Sequence, residues 1–164
     1  MSHFAAALAK TEEGWTGAEL DLAEVDDLEV LAETLRDLSG DSAGPALLLL
    51  EEDDEYVAVV RVDGGSGSLA EPRVFLSDRR AVQGSDVAAM LWEQVDETTD
   101  DDDDEGTRPV AEPVGDTELL ADLGTRSDEL LRLCAEEGLL PADVISELCE
   151  RAGCGDVLEG LREG

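Results

Sequence analysis

The sequence predicts an α+β protein: a mostly antiparallel sheet of about 4–5 strands with helices on one face, then an acidic linker and a small C-terminal bundle of short helices. Three observations predict it. Residues 45–62 read P-A-L-L-L-L-E-E-D-D-E-Y-V-A-V-V-R-V, two apolar runs around five consecutive acids. Each run is too short for a helix, and the second is rich in β-branched residues, so the pair reads as adjacent strands. Leu28, Leu31, Leu35 and Leu38 recur at spacings of three, four and three, one face of a helix. After Gly115, short apolar-faced segments alternate with glycines, the pattern of brief capped helices.

Taken in order, residues 4–9 form a short apolar opening strand, although alanines at positions 5, 6 and 7 favour helix by propensity. T-E-E-G at 11–14 is a turn, and residues 15–22 form a second, more polar strand. The Leu-striped helix spans 26–38, with Asp26 and Asp27 at the end where the helix dipole favours anions and Gly40 just past the other. In the hairpin, Leu47–Leu50 is apolar at every position, which places that strand inside the sheet with both faces covered. Its partner is half-exposed at its end, where Arg61 interrupts the apolar run. G-G-S-G-S within 63–70 is a flexible loop, 73–76 is another strand, and Ser77 or Asp78 can cap a helix that Val87, Met90 and Leu91 place at 86–92.

Composition then changes abruptly. Residues 93–105 hold nine acids and no base, six of them in the run Asp100, Asp101, Asp102, Asp103, Asp104 and Glu105. So dense a block of like charge buries too little apolar area to offset ordering entropy, so disorder is expected. Pro109 and Pro113 extend the linker. Four helices follow at 117–123, 127–137, 141–152 and 156–162, with Pro141 suited to a first helical position. Such short helices do not persist alone in water and must pack together or on the sheet. The expected organisation is therefore an α+β domain at 1–92, a linker at 93–115 and a helical domain at 116–164.

The charge balance bounds function. There are 43 acids against 11 bases, a net charge of -32. Such a chain repels nucleic acid and anionic lipid, whose binding rests on Lys and Arg, and favours basic partners or plain solubility. The acidity is not confined to the linker, since residues 1–92 carry 20 acids to 6 bases and residues 106–164 carry 14 to 5. No apolar run approaches a membrane span, and residues 1–11 lack the basic start and cleavage pattern of a signal, so a cytoplasmic protein is expected.

Catalytic constellations are scarce. His3 is the sole histidine, which excludes a histidine-based triad and any two-histidine metal site. The Gly-rich loop lacks the Lys-Ser/Thr of a phosphate loop, and neither acidic run has calcium-loop spacing. Glu51–Glu55 therefore reads as a solvated loop. Cys134, Cys149 and Cys154 include no C-x-x-C pair and read as small buried hydrophobes. Trp15 and Trp92 read as core residues in a chain poor in aromatics. No catalytic residue, cofactor or metal ligand is expected.

The order of these features resembles a known family. F-A-A-A-L-A with T-E-E-G-W, the Leu-striped helix, the L-L-L-L-E-E-D-D-E-Y-V-A-V-V-R-V hairpin, V-F-L-S-D, and P-V-G-D-T-E-L-L-A-D-L-G followed by L-P-A-D-V-I-S-E-L-C-E-R-A-G are similar to the actinobacterial tRNA adenosine deaminase-associated proteins. The resemblance covers nearly the whole chain and carries over no active-site residue. It implies an accessory role beside the enzyme that converts adenosine to inosine in tRNA. The chain itself lacks the H-x-E and P-C-x-x-C motifs that a zinc deaminase requires. The expected partner is that deaminase or another basic protein, met through the acidic surface, with Asp100–Glu105 as the candidate contact. The alternative is a regulatory or structural protein of another pathway that docks partners through its C-terminal helices.

Overall fold

The computed structural model describes residues 3–20, 28–39, 45–52, 56–63, 72–78, 91, 114–135 and 140–163. The α+β architecture is as the sequence predicts. Strands β1 (His3–Thr11), β2 (Gly14–Glu19), β3 (Ala46–Glu52), β4 (Tyr56–Val62) and β5 (Arg73–Leu76) join the two-residue β6 (Val114–Gly115) in one antiparallel sheet, ordered β2-β1-β3-β4-β5-β6. Helix α1 (Leu28–Ser39) lies between β2 and β3 in sequence. A 3₁₀ turn at Ala121–Leu123 precedes α2 (Ser127–Ala135), α3 (Pro141–Ala152) and α4 (Gly155–Glu163).

β1 is a strand despite its alanines because of where it sits. It pairs with β2 on one side and β3 on the other, and burial on both faces overrides helix propensity. Ala5, Ala7 and Ala9 face one way, with Leu48, Leu50, Ala58, Val60, Val74 and Leu76. Leu31, Ala32 and Leu35 of α1 close that face and Leu38 packs partly buried against it, as the spacing of the Leu stripe requires. The two runs pair as adjacent strands, as read, with Leu48 opposite Val60 and Leu50 opposite Ala58. Both faces of Leu47–Leu50 are covered, which explains a strand without polar alternation.

The second face settles where the C-terminal helices go. Leu8, Leu47, Leu49, Val57, Val59 and Phe75 form one apolar cluster with Leu119, Leu130, Ile145, Leu148 and Leu158. The helices therefore dock on the sheet and share its core, giving helix, sheet and helix layers. Each large apolar side chain so buried contributes about 1.5–3 kcal/mol. α4 approaches β2 so closely that a Cβ at Gly17 would lie 2.8 Å from Val157 Cγ1 and 2.7 Å from Leu8 Cδ2. α3 starts at Pro141 as expected, with the Asp143 carboxylate accepting the Leu140 N–H at 3.3 Å. It ends where the Cys149 carbonyl accepts both the Gly153 and Cys154 N–H groups.

Several details depart from the sequence reading. The segment expected to be helical from residue 117 makes only turns before its 3₁₀ turn, ending at Gly124 as anticipated. Val114 and Gly115, read as linker, pair with β5. The helix expected to be capped by Ser77 or Asp78 has its start outside the described residues; the Ser77 Oγ accepts the Val57 N–H at 2.9 Å, extending the ladder beyond β5. Of the expected helix at 86–92 only Leu91 is described, helical and buried beneath the α1 face. Residues 92–113, with the rest of the linker and Trp92, lie outside the described residues.

Candidate interaction surface

The described polar residues gather first in a seam between sheet and C-terminal segment. Arg61, expected to be half-exposed, is buried on the second face at 6 % exposure. Antiparallel register sets it directly opposite Arg73, a pairing of like charges that is unfavourable unless acids intervene. They do. Arg61 Nε donates to Asp63 at 3.0 Å, its Nη1 and Nη2 grip the Asp122 carboxylate at 2.6 and 3.0 Å, and Nη1 also donates to the Leu119 carbonyl at 2.6 Å. Arg73 Nε donates to Asp116 at 2.6 Å, whose other oxygen accepts the Glu118 N–H at 2.9 Å.

The electrostatics follow. The hydrogen bond from Arg61 holds the Asp122 carboxyl below its ordinary range, against a smaller opposing effect of burial. Burial pushes the Asp116 carboxyl up, but Arg73 and the Glu118 N–H together outweigh it and leave it lowered. The Asp122 hydrogen bond likewise raises Arg61 against burial. Both guanidinium groups are committed to aspartates, so the seam is a clamp fastening residues 116–122 to the sheet. Sequence reading missed it because Arg61 looks like an ordinary polar end to an apolar run; its partners Leu119 and Asp122 lie 58 and 61 residues away.

The acids singled out from sequence are described only in part. Asp100, Asp101, Asp102, Asp103, Asp104 and Glu105 lie outside the described residues. Of the hairpin acids, Glu51 and Glu52 extend β3 and do not loop out; Glu51 meets Arg162 at 3.5 Å, and the Tyr56 hydroxyl donates to Glu52 at 2.9 Å. Arg162 also stacks 4.9 Å over the Phe4 ring, so it fastens α4 to the sheet from two directions. His3 begins β1 opposite Glu52. Trp15 packs half-buried against the second-face core, as a structural tryptophan should.

All three cysteines are free. Cys149 and Cys154 are buried in that core, and burial pushes the Cys134 thiol up to about 12. Cys134 is therefore protonated at neutral pH, while the Cys149–Cys154 hydrogen bond, with burial, raises the Cys149 thiol and, against burial, lowers that of Cys154. Among the described residues no group of three or more His, Cys, Asp or Glu is placed to hold a metal ion, and no helix is long and apolar enough to cross a membrane.

On the outside, α2 and α3 enclose an open groove of about 500 Å³ carrying Glu129, Asp143, Glu147 and Glu150 against Arg132 and Arg151. Arg151 spans it, meeting Glu129 and Glu147 at 3.0 Å each. Carboxylates outnumber cations here, four to two, so the groove's fixed charge is net negative.

The chain is thus an acidic, three-layer α+β protein in which Arg61 and Arg73 tie the C-terminal segment to the sheet. Within it, residues 3–155 match the family model of the Rv3753c-like tRNA adenosine deaminase-associated protein, and the chain belongs to that family. It is similar to Protein Rv3753c of Mycobacterium tuberculosis (strain ATCC 25618 / H37Rv), 29% identical over 158 residues, which span 96% of this chain and 86% of that protein. No solved structure matches.

Proposed function

We propose that this protein is a non-catalytic accessory of a tRNA adenosine deaminase and binds a basic protein partner, the deaminase itself in the first instance, through its acidic surface. The observation that carries the reading is family membership over residues 3–155 in a chain of net charge -32. The family description names an association with the deaminase, and the charge supplies a physical means for it. The acids steer a basic partner into encounter and weaken in that role as salt screens them. Asp100–Glu105 is the densest anionic run available, and the α2–α3 groove adds a fixed patch of the same sign. A non-catalytic role accords with a sole histidine at position 3 and the lack of both deaminase zinc motifs.

A second reading, docking of an unrelated partner on the C-terminal helices, draws support from Leu131 and Leu140, exposed at 37 % and 50 %. Co-purification of the full chain with the deaminase of the same organism at low and high salt separates the two. The acidic reading expects a complex at low salt that dissociates at high salt and weakens when residues 93–105 are deleted. A complex indifferent to that deletion and to salt supports docking through the apolar helical surface instead.

A further inference from the structure

The sheet has one long open edge. Among the described residues β2 is terminal in the strand order and pairs only with β1. The Leu20 N–H donates to the Ala5 carbonyl at 2.9 Å, and Thr11 faces Gly14 across the two-residue turn. Alternation along an antiparallel ladder then turns the backbone groups of Thr16 and Ala18 toward β1 and those of Trp15, Gly17 and Glu19 outward. Among the described residues nothing pairs with those three outward N–H and C=O pairs. β2 also contains neither proline nor lysine, two devices that commonly blunt an edge.

We propose that the β2 edge is a strand-addition site that takes an extended, Lys- or Arg-bearing segment of the partner protein. The occupant follows from charge. Glu12 and Glu13 stand at one end of the edge and Glu19, exposed, at the other. A second copy of this chain would bring the same acids against them on top of a repulsion of -32 against -32. A basic segment instead gains backbone hydrogen bonds from the edge and opposite charges at both ends. Gly17 keeps the middle of the strand free of a side chain, and the exposed Thr16 lies on the face away from α4. The site rests on the partner reading above, supplying a geometry that the acidic linker does not.

The test is amide hydrogen exchange on the full chain, alone and with saturating deaminase at low salt. Strand addition predicts at least about tenfold slower exchange at Trp15, Gly17 and Glu19, with little change at Thr16 and Ala18, which are already bonded. Glu19→Pro removes an outward N–H without touching the β1 ladder, and weakens binding about tenfold or more. Glu19→Gln keeps the edge and weakens binding only a few-fold. A complex that leaves the three outward amides unprotected, or binds Glu19→Pro as tightly as the parent, overturns the edge site while leaving the association standing. If no complex forms, the association reading fails, and an alternating Arg/Val nonapeptide becomes the probe. Slowed outward amides with that peptide retain the site, and unchanged ones overturn it. Outward amides that slow with increasing concentration of the chain alone assign the edge to a second copy and overturn the basic occupant.

Discussion

Arg61 shows how one side chain can tie distant parts of the chain together. Its guanidinium reaches the Leu119 carbonyl and Asp122 from β4, so residues that the sequence separates by an acidic linker become a single packed unit. Replacing Arg61 with alanine leaves the Leu119 carbonyl without that donor and empties a buried volume. The aspartates, 65 % and 42 % exposed, re-solvate cheaply. The expected loss is therefore about 2–3 kcal/mol in urea unfolding at pH 7, most of it from the carbonyl and lost packing and little from ion pairing. The pH dependence has a definite sign. Asp122 has its folded pKa lowered, so its contribution is complete above the unfolded value of about 3.9 and is lost as pH falls through the lower folded value. Stability curves of the parent and Asp122→Asn should differ at neutral pH and converge below about pH 4. Curves that stay parallel into acid would show that the carboxylate contributes nothing through its charge.

At the scale of elements, sequence reading did well where local periodicity and burial agree. The Leu stripe of α1, the Leu47–Leu50 run and the start of α3 at Pro141 were legible because each pattern is set by its own few residues. It did less well where long-range pairing decides. Nothing local shows that Val114–Gly115 joins β5, that Ser77 Oγ serves the β4 backbone, or that Arg61 is buried. The open edge of β2 was equally hidden, since strand order is a property of the sheet as a whole. Glycine at position 124 was legible as a helix-ending residue, and the structure adds why it tolerates no substitute. Its φ is +103°, and a Cβ there would lie 2.6 Å from the Arg151 carbonyl oxygen. Gly124→Ala should therefore destabilise by about 2 kcal/mol or more by urea titration, combining left-handed strain with a backbone clash. A change under about 0.5 kcal/mol would mean that the 3₁₀ turn does not press on the end of α3.

For the whole molecule, docking of the C-terminal helices and net charge pull in opposite directions. The second sheet face and the C-terminal helices share one apolar cluster, which resists separation. Forty-three acids against eleven bases press the compact state apart. Screening relieves only the second effect, so raising salt from about 0.02 M to about 0.5 M should raise Tm by several degrees, with one cooperative transition by circular dichroism and tryptophan fluorescence. A Tm that falls with salt would place the surface ion pairs above the general repulsion.

The same charge is the basis of the proposed partnership. The most direct test is the affinity of the purified full chain for the tRNA adenosine deaminase of its own organism, measured by calorimetry across a salt series. An acidic accessory surface predicts a complex at about 0.05 M salt that weakens tenfold or more by about 0.5 M. No complex at the lowest salt, or an affinity that ignores salt altogether, would contradict it.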